Sequence, residues 1–238
     1  WVGCAGSFDD RAKRISKAFS DILAKCGIKF AILGQEESCT GDPARRAGNE
    51  FLFQMMAYQN IQVLNGYEVK KIVTACPHCF NTLKNEYPEL GGNYEVIHHT
   101  QLLQELLDQG KIKLSDASKF KGKRVTYHDS CYLGRANNVY EAPRSLLAAL
   151  DVDLAEMGRS KKTGMCCGAG GGQMFKEEEN GKERINTNRT KEALDTGAEI
   201  IVANCPFCTT MLEDGVKSYE KQTEVKVLDI VELLNSSI

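Results

Sequence analysis

Apolar residues along the chain alternate between helical and strand-like spacing. Within residues 12–25, Ile15, Ala18, Phe19, Ile22 and Leu23 recur at helical intervals, and Gly27 follows as a stop. Residues 28–33 read as a strand, 45–66 as one long helix and 71–75 as a buried strand ending at Cys76. A helix beginning near Asn81, a strand over 94–98 and a helix over 100–109 follow. The second half repeats the order: strand 125–128, helix 143–150, residues 151–157 carrying the chain toward Cys166, and a helix over 184–196. Strand 199–203 then delivers Cys205, before a strand over 225–228 and a helix over 229–234. Val2 and Gly3 read as the end of a strand running into the first cysteine loop. Such alternation predicts an α/β fold with small parallel sheets flanked by helices, and ligands at the carboxyl ends of the strands.

The cysteines sharpen this into a duplication. One set is Cys4, Cys39 and the pair Cys76-Pro77-His78-Cys79; the other is Cys131, Cys166-Cys167-Gly168 and Cys205-Pro206-Phe207-Cys208. The offset between sets is 127 residues for the first two landmarks and 129 for the closing pairs, as two homologous modules with a small insertion would give. The boundary falls in the Lys- and Asp-rich segment 116–123, so the modules run over 1–115 and 116–238. Only Cys26, near the end of the first amphipathic helix, stands outside the pattern and reads as a small buried hydrophobe.

Disulfides are the weaker explanation for ten cysteines. The chain is long enough to bury a core from its 42% apolar residues without staples, and Cys-x-x-Cys loops are too short to constrain an unfolded chain much. Thiolate ligation of metal is the better reading and places the protein in a reducing, cytoplasmic compartment. A formal charge of −2 with no basic stripe argues against nucleic acid, and the mixed run 176–189 reads as the solvated face of a helix. No window is apolar and long enough for a direct membrane span. Trp1 in place of methionine suggests a piece of a longer polypeptide, whose upstream region would carry further cofactors or an anchor. The glycine run 170–172 fits neither a phosphate loop nor a dinucleotide fingerprint.

In the second module, Cys131, Cys166, Cys167, Cys205 and Cys208 supply five thiolates. Structural zinc takes four ligands, so five point to an extended iron–sulfur cluster, with Gly168 and Gly170 to Gly172 freeing the backbone to follow it. Pro77 and Pro206 suit the first turn of a helix whose free amides then donate to thiolate or sulfide. In the first module Thr40 stands where Cys167 would be, leaving Cys4, Cys39, Cys76 and Cys79 for a [4Fe-4S] cluster or one zinc. An isolated thioredoxin-like pair is disfavoured because each pair closes a larger set.

Among the polar neighbours, His128 is a candidate proton donor or partner of a cluster sulfur, against a local loop hydrogen bond. Arg135 is a candidate for a substrate anion or a structural ion pair, and His78 and Asp129 also adjoin ligands. Met55, Met56 and Tyr58 read as helix packing, and of His98 and His99 only one is expected to share an inward face.

The runs 128–135 (His-Asp-Ser-Cys-Tyr-Leu-Gly-Arg), 166–172 and 205–208 resemble the duplicated cysteine-rich, or CCG, domain. That family includes heterodisulfide reductase subunits of the B and D types and the iron–sulfur subunits of glycolate and lactate oxidases. Residues 37–46 (Glu-Ser-Cys-Thr-Gly-Asp-Pro-Ala-Arg-Arg) resemble the D-type, membrane-associated branch. The resemblance implies a non-cubane [4Fe-4S] cluster on Cys131, Cys166, Cys167, Cys205 and Cys208, and disulfide cleavage in one-electron steps. It also implies redox partners: a ferredoxin-type region or flavoprotein, and a membrane subunit that would hold the protein peripherally at the membrane. The two functions in contention are an electron-transfer subunit that reduces a disulfide or feeds a quinone, and a zinc-stabilised docking module without redox activity.

Overall fold

The computed structural model describes residues 1–114, 117–177 and 181–238. Asp116, in the expected linker, and residues 178–180 of the charged run lie outside the described residues. Gly3, expected to close a strand, instead opens α1 (Gly3–Phe8), and the Glu37 carboxylate accepts the free amides of Val2 and Gly3. The next helix, α2 (Asp10–Lys25), starts two residues before the expected position because the Asp9 side chain accepts from Arg11 N and Ala12 N at 2.8 and 3.0 Å. Residues 28–33 are not a strand: no neighbour pairs with them, and Phe30 and Ile32 are 48% and 62% exposed.

The expected single helix over 45–66 is two helices, α3 (Asp42–Arg46) and α4 (Glu50–Gly66). Asn49 restarts the helix by accepting from Leu52 N at 3.0 Å. Phe53, Ala57, Ile61 and Leu64 form the buried face of α4, whereas Met55 and Tyr58, expected in the packing, are about half exposed at 54% and 49% on the other side.

After β1 (Lys71–Thr74) comes α5 (Pro77–Asn81), which begins four residues earlier than expected because Cys76 is extended and Pro77 can occupy the first turn. The first module closes with β2 (Glu95–His98) and α6 (His99–Asp108). The second contains β3 (Arg124–His128), α7 (Glu141–Ala149), β4 (Asp153–Leu154), α8 (Ile185–Leu194), β5 (Ile200–Ala203), α9 (Pro206–Ser218), β6 (Lys226–Leu228) and α10 (Ile230–Asn235).

The fold is α/β, as the patterning predicts. One sheet is β1-β2 and the other β4-β3-β5-β6, both wholly parallel. β1 and β5 correspond in the repeat, as do β2 and β6, yet the first sheet has half the strands of the second. Each module has an apolar cluster of its own, and a third cluster is shared between them. α2 of the first packs on α10 of the second, while α7 of the second packs on α6 of the first, and Ile15 and Ile22 share a cluster with Val125, Leu146, Ile200 and Ile230. The apolar faces of α2, α6, α7 and α10 are therefore buried across the duplication, whereas that of α4 is buried almost wholly within the first module.

The closing helices carry the same reciprocal cap, His98 with Gln101 on α6 and Asp229 with Glu232 on α10. Both His98 and His99 are fully buried, against the expectation of one, because the chain turns from strand to helix between them. His98 Nδ1 meets Thr100 Oγ1 at 2.8 Å, and His99 Nε2 meets Asp229 Oδ1 at 2.9 Å, so Asp229 both caps α10 and ties the modules together. Asp229→Ala should cost about 2–4 kcal/mol, the loss of a cap and of a buried partner, and Asp229→Asn should restore most of it. Urea unfolding of the three proteins measures this.

Candidate metal centres

The two middle cysteine loops are built alike. Gly41 N donates to Cys39 Sγ at 3.4 Å and Gly168 N to Cys166 Sγ at 3.3 Å, each two residues after its cysteine. Both glycines have positive φ, +86° and +97°. A Cβ on Gly41 would lie 2.9 Å from the Phe53 ring, and one on Gly168 would press on Ile185 and Met211 at 3.3 Å. The Cys-x-Gly spacing thus fixes a turn whose amide faces the sulfur. Cys76 and Cys205 each follow directly from a strand into a proline-led helix, and Phe207 and Cys208 amides donate to the Cys205 sulfur, as the expected helix-start amides should.

All ten cysteines are free thiols. In the second set Cys166 lies against Cys131 and Cys167, and Cys208 lies against Cys167 and Cys205. The hydrogen bonds from Cys131 and Cys167, with those from the Gly168 and Gly170 amides, push Cys166 far down toward the thiolate. Burial opposes ionisation of Cys205, but bonds from Cys208 and Cys76 outweigh it and its pKa is also well below the ordinary value. In the first set Cys4 donates to Cys39, whose pKa falls to about 7, and Cys79 donates to Cys76. Thr40, buried, points its hydroxyl at Cys79 Sγ at 4.0 Å.

The sets are not isolated from one another. Cys76 of the first module lies against Cys205 of the second, so Cys79, Cys76, Cys205, Cys208, Cys167, Cys166 and Cys131 follow one another as a chain of neighbours. Nothing in the linear spacing signals that junction, because it arises from the packing of the two modules. Cys26 lies apart, half-buried, with its Sγ against the Lys111 carbonyl at 3.6 Å.

His128 is fully buried at the end of β3 and has a ring nitrogen within 4.8 Å of both Cys167 Sγ and Cys208 Sγ. Burial, and next the Arg189 charge, hold its pKa at about 3, so the ring is neutral. Arg189 Nε donates to His128 Nδ1 at 3.0 Å, which leaves the ring hydrogen on Nε2, a buried atom with no partner of its own.

Arg189 escaped the sequence reading, which put it on a solvated face. It is fully buried, donating also to the Arg159 carbonyl at 2.9 Å and the Glu192 carboxylate at 2.7 Å. Its signal lay in the 3.6-residue pattern Asn186, Arg189, Thr190, Ala193, the buried face of α8. Among the described residues of the charged run, the α-helix starts at Ile185.

The other polar candidates are engaged structurally. Asp129 pairs through both oxygens with Arg144 at 2.9 Å and accepts from Lys161 N. Arg135 is exposed and donates to the Gly164 carbonyl, bracing the loop ahead of Cys166. His78 Nδ1 meets Asp42 Oδ2 at 2.8 Å, while its ring stacks on Tyr132 at 4.3 Å and stands edge-on to Phe207 at 5.3 Å, both from the second module.

This donor set fits an iron–sulfur group. Soft thiols converge in number, backbone amides are aimed at the sulfurs, and the neutral His128 imidazole, with a ring nitrogen within 4.8 Å of Cys167 and Cys208, keeps Nε2 without a partner. The CCG cysteine-rich domain family matches residues 1–84 and again 125–213. The chain is a duplicated member of that family. An EtfAB:quinone oxidoreductase of Syntrophomonas wolfei is 50% identical over 98% of this chain, and a probable iron-sulfur-binding oxidoreductase FadF of Bacillus subtilis is 50% identical over all of it. The D subunit of a dihydromethanophenazine:CoB–CoM heterodisulfide reductase of Methanosarcina barkeri is 37% identical over the whole chain. The chain spans 33% of the length of each of the first two relatives and 58% of the third. These relatives, named as oxidoreductases and as a reductase subunit, share the duplicated cysteine-rich domain with this chain. Among its described residues no helix is long and apolar enough to cross a membrane.

Proposed function

We propose that this chain is the electron-carrying part of an iron–sulfur oxidoreductase. It would hold a non-cubane [4Fe-4S] cluster on Cys131, Cys166, Cys167, Cys205 and Cys208, and a second centre, also [4Fe-4S], on Cys4, Cys39, Cys76 and Cys79. The observation that carries this reading is the packing of His78, inside the first Cys-x-x-Cys, against Tyr132 and Phe207 of the second set, which brings the two centres together in a buried place. An inert zinc site has no need of such a junction, whereas a relay needs short steps. The groups would supply one-electron chemistry when bound. The chain's own contribution is to orient thiolates with the Gly168, Phe207 and Cys208 amides, to exclude water by burial, and to hold the neutral His128 ring beside Cys167 and Cys208.

The quinone named in the Syntrophomonas relative favours a quinone-linked acceptor over a disulfide, with electrons delivered by a redox protein and the complex lying peripherally at the membrane through its partners. Anaerobic purification, with iron, zinc and acid-labile sulfide measured per chain beside EPR of oxidised and reduced samples, tests the reading. Two clusters require about eight irons with matching sulfide. Zinc alone after anaerobic reconstitution would overturn it and leave a docking module.

Thr40 gives a sharper check on the first centre. Its hydroxyl faces Cys79 as the Cys167 sulfur faces Cys208, so Thr40→Cys adds a fifth thiol at the equivalent place. The EPR signal of the first centre should shift toward that of the second, with iron content unchanged. An unaltered spectrum would show that the loop does not deliver the fifth ligand.

A further inference from the structure

Behind the two Cys-x-x-Cys pairs lies a polar cluster that the proposed electron path does not use. Its members His98, His99, Asn204 and Asp229 are all fully buried. Ala75 and Asn204, 129 residues apart like the closing pairs, are the equivalent residues that hand the chain to Cys76 and to Cys205. His98 Nε2 meets the Ala75 carbonyl at 3.3 Å, and the backbone of Asn204 lies against the same ring. One imidazole therefore touches the same peptide of both modules. Its counterpart, the other closing-helix cap Asp229, reaches back to His99 of the first module.

The ring's single hydrogen is directed at this junction. Burial, and next the neighbouring His99, hold the His98 pKa well below its ordinary value, so the ring is neutral. Thr100 N donates to Nδ1 at 3.5 Å as part of the helix cap, which leaves the hydrogen on Nε2. His99 Nδ1 lies 3.3 Å from that nitrogen, and His99 Nε2 continues the chain to Asp229 Oδ1 at 2.9 Å. Asn204 is held from its other side, with Nδ2 donating to the Tyr127 hydroxyl at 3.3 Å and Oδ1 accepting from Ile230 N at 3.4 Å. Phe80, the residue after Cys79, stands edge-on to His98 at 5.9 Å, so the ring is braced at both ends of the first pair.

We propose that His98 is a positioning residue shared by the two metal centres: its Nε2 arm fixes the peptides entering Cys76 and Cys205 relative to one another, and so sets the spacing of the two Cys-x-x-Cys pairs. Each of these peptides is the last unit before a cysteine, and a rotation there moves the sulfur directly. Groups that orient ligands in this way tune the bound metal without touching it. The consequence, one side chain tuning both centres, rests on the electron-carrying reading; the placement itself does not.

Two substitutions divide the ring's functions. Asparagine reaches about as far as Nδ1 and keeps the cap, whereas the glutamine amide reaches about as far as Nε2 and keeps the bridge but caps poorly. Hydrogen exchange of the chain as purified anaerobically reads both. Phe80 N and Thr209 N donate to the Cys76 and Cys205 carbonyls, each at 2.9 Å, and are equivalent first rungs of α5 and α9. In His98→Asn both amides should exchange at least about tenfold faster than in the unsubstituted protein while Thr100 N keeps its protection, and in His98→Gln the pattern should invert. The reduction potentials of both centres should move in His98→Asn and stay in His98→Gln, a split that a purely structural residue does not produce. Acceleration at Phe80 with Thr209 unchanged would confine His98 to its own module and overturn the proposal. Equal acceleration of both amides in the two variants would mean a packing defect and would overturn it as well. Absence of iron from the unsubstituted protein would sink the electron-carrying reading alone, and the exchange pattern would still decide the placement.

Discussion

Cys205→Ser is expected to abolish the second centre. Cys205 leaves β5 directly, is buried, and gathers hydrogen bonds from Cys208, Cys76 and the amides of Phe207 and Cys208. Serine fills nearly the same space, but its hydroxyl does not ionise at neutral pH and offers a hard oxygen where iron–sulfur chemistry selects soft thiolate. Iron and sulfide in anaerobically loaded protein should fall by about half, with loss of the second EPR signal. Ligation supplies folding energy, so the thermal midpoint should fall with it. Because Cys205 also receives the Cys76 thiol, the first centre's signal should broaden or shift, which Cys131→Ser, at the far end of the string, should not cause. Cys26→Ser, outside both sets, should keep all the iron. Full iron retention in Cys205→Ser would remove Cys205 from the ligands and with it the junction between centres.

The repeat and the α/β class were legible because both are written in spacing. A Cys-x-Gly turn and a proline-led Cys-x-x-Cys helix start are local devices, and the structure forms both at the places expected. What spacing does not encode is which surfaces meet. The Cys76–Cys205 contact, the stacking of His78 on Tyr132, and the exchange of α2 and α7 between modules all join residues far apart in the chain. Residues 28–33 mislead for a related reason: alternation reports a side chain's fitness for a sheet, while a strand also needs a neighbour with free backbone groups. At 45–66 the helical period was right, but a capping side chain, Asn49, outweighed continuity.

Arg189 was hidden by composition, since a charged residue in a charged run reads as solvated, and replacing it should cost stability on the same scale as replacing Asp229. Its guanidinium is wholly buried and serves three acceptors: His128 Nδ1, the Arg159 carbonyl and the Glu192 carboxylate. Arg189→Met keeps the stem's volume but removes the donor to all three, and breaking a buried pair on one side costs about 3 kcal/mol. The low end applies because Glu192 retains Arg159, whose backbone N and Nε both donate to it. Arg189→Lys restores a charge for Glu192 but not the fork that also reaches the imidazole, so stability should recover in part. A purely structural role predicts only that loss. A positioning role predicts more: with Nδ1 no longer fixed, His128 can turn or change tautomer, and its hydrogen leaves the sulfurs of Cys167 and Cys208. The second centre's reduction potential should then fall in both variants, including the partly stabilised lysine protein, while iron content stays full. Urea unfolding beside an anaerobic redox titration separates the two roles, and an unchanged potential would reduce Arg189 to a packing residue.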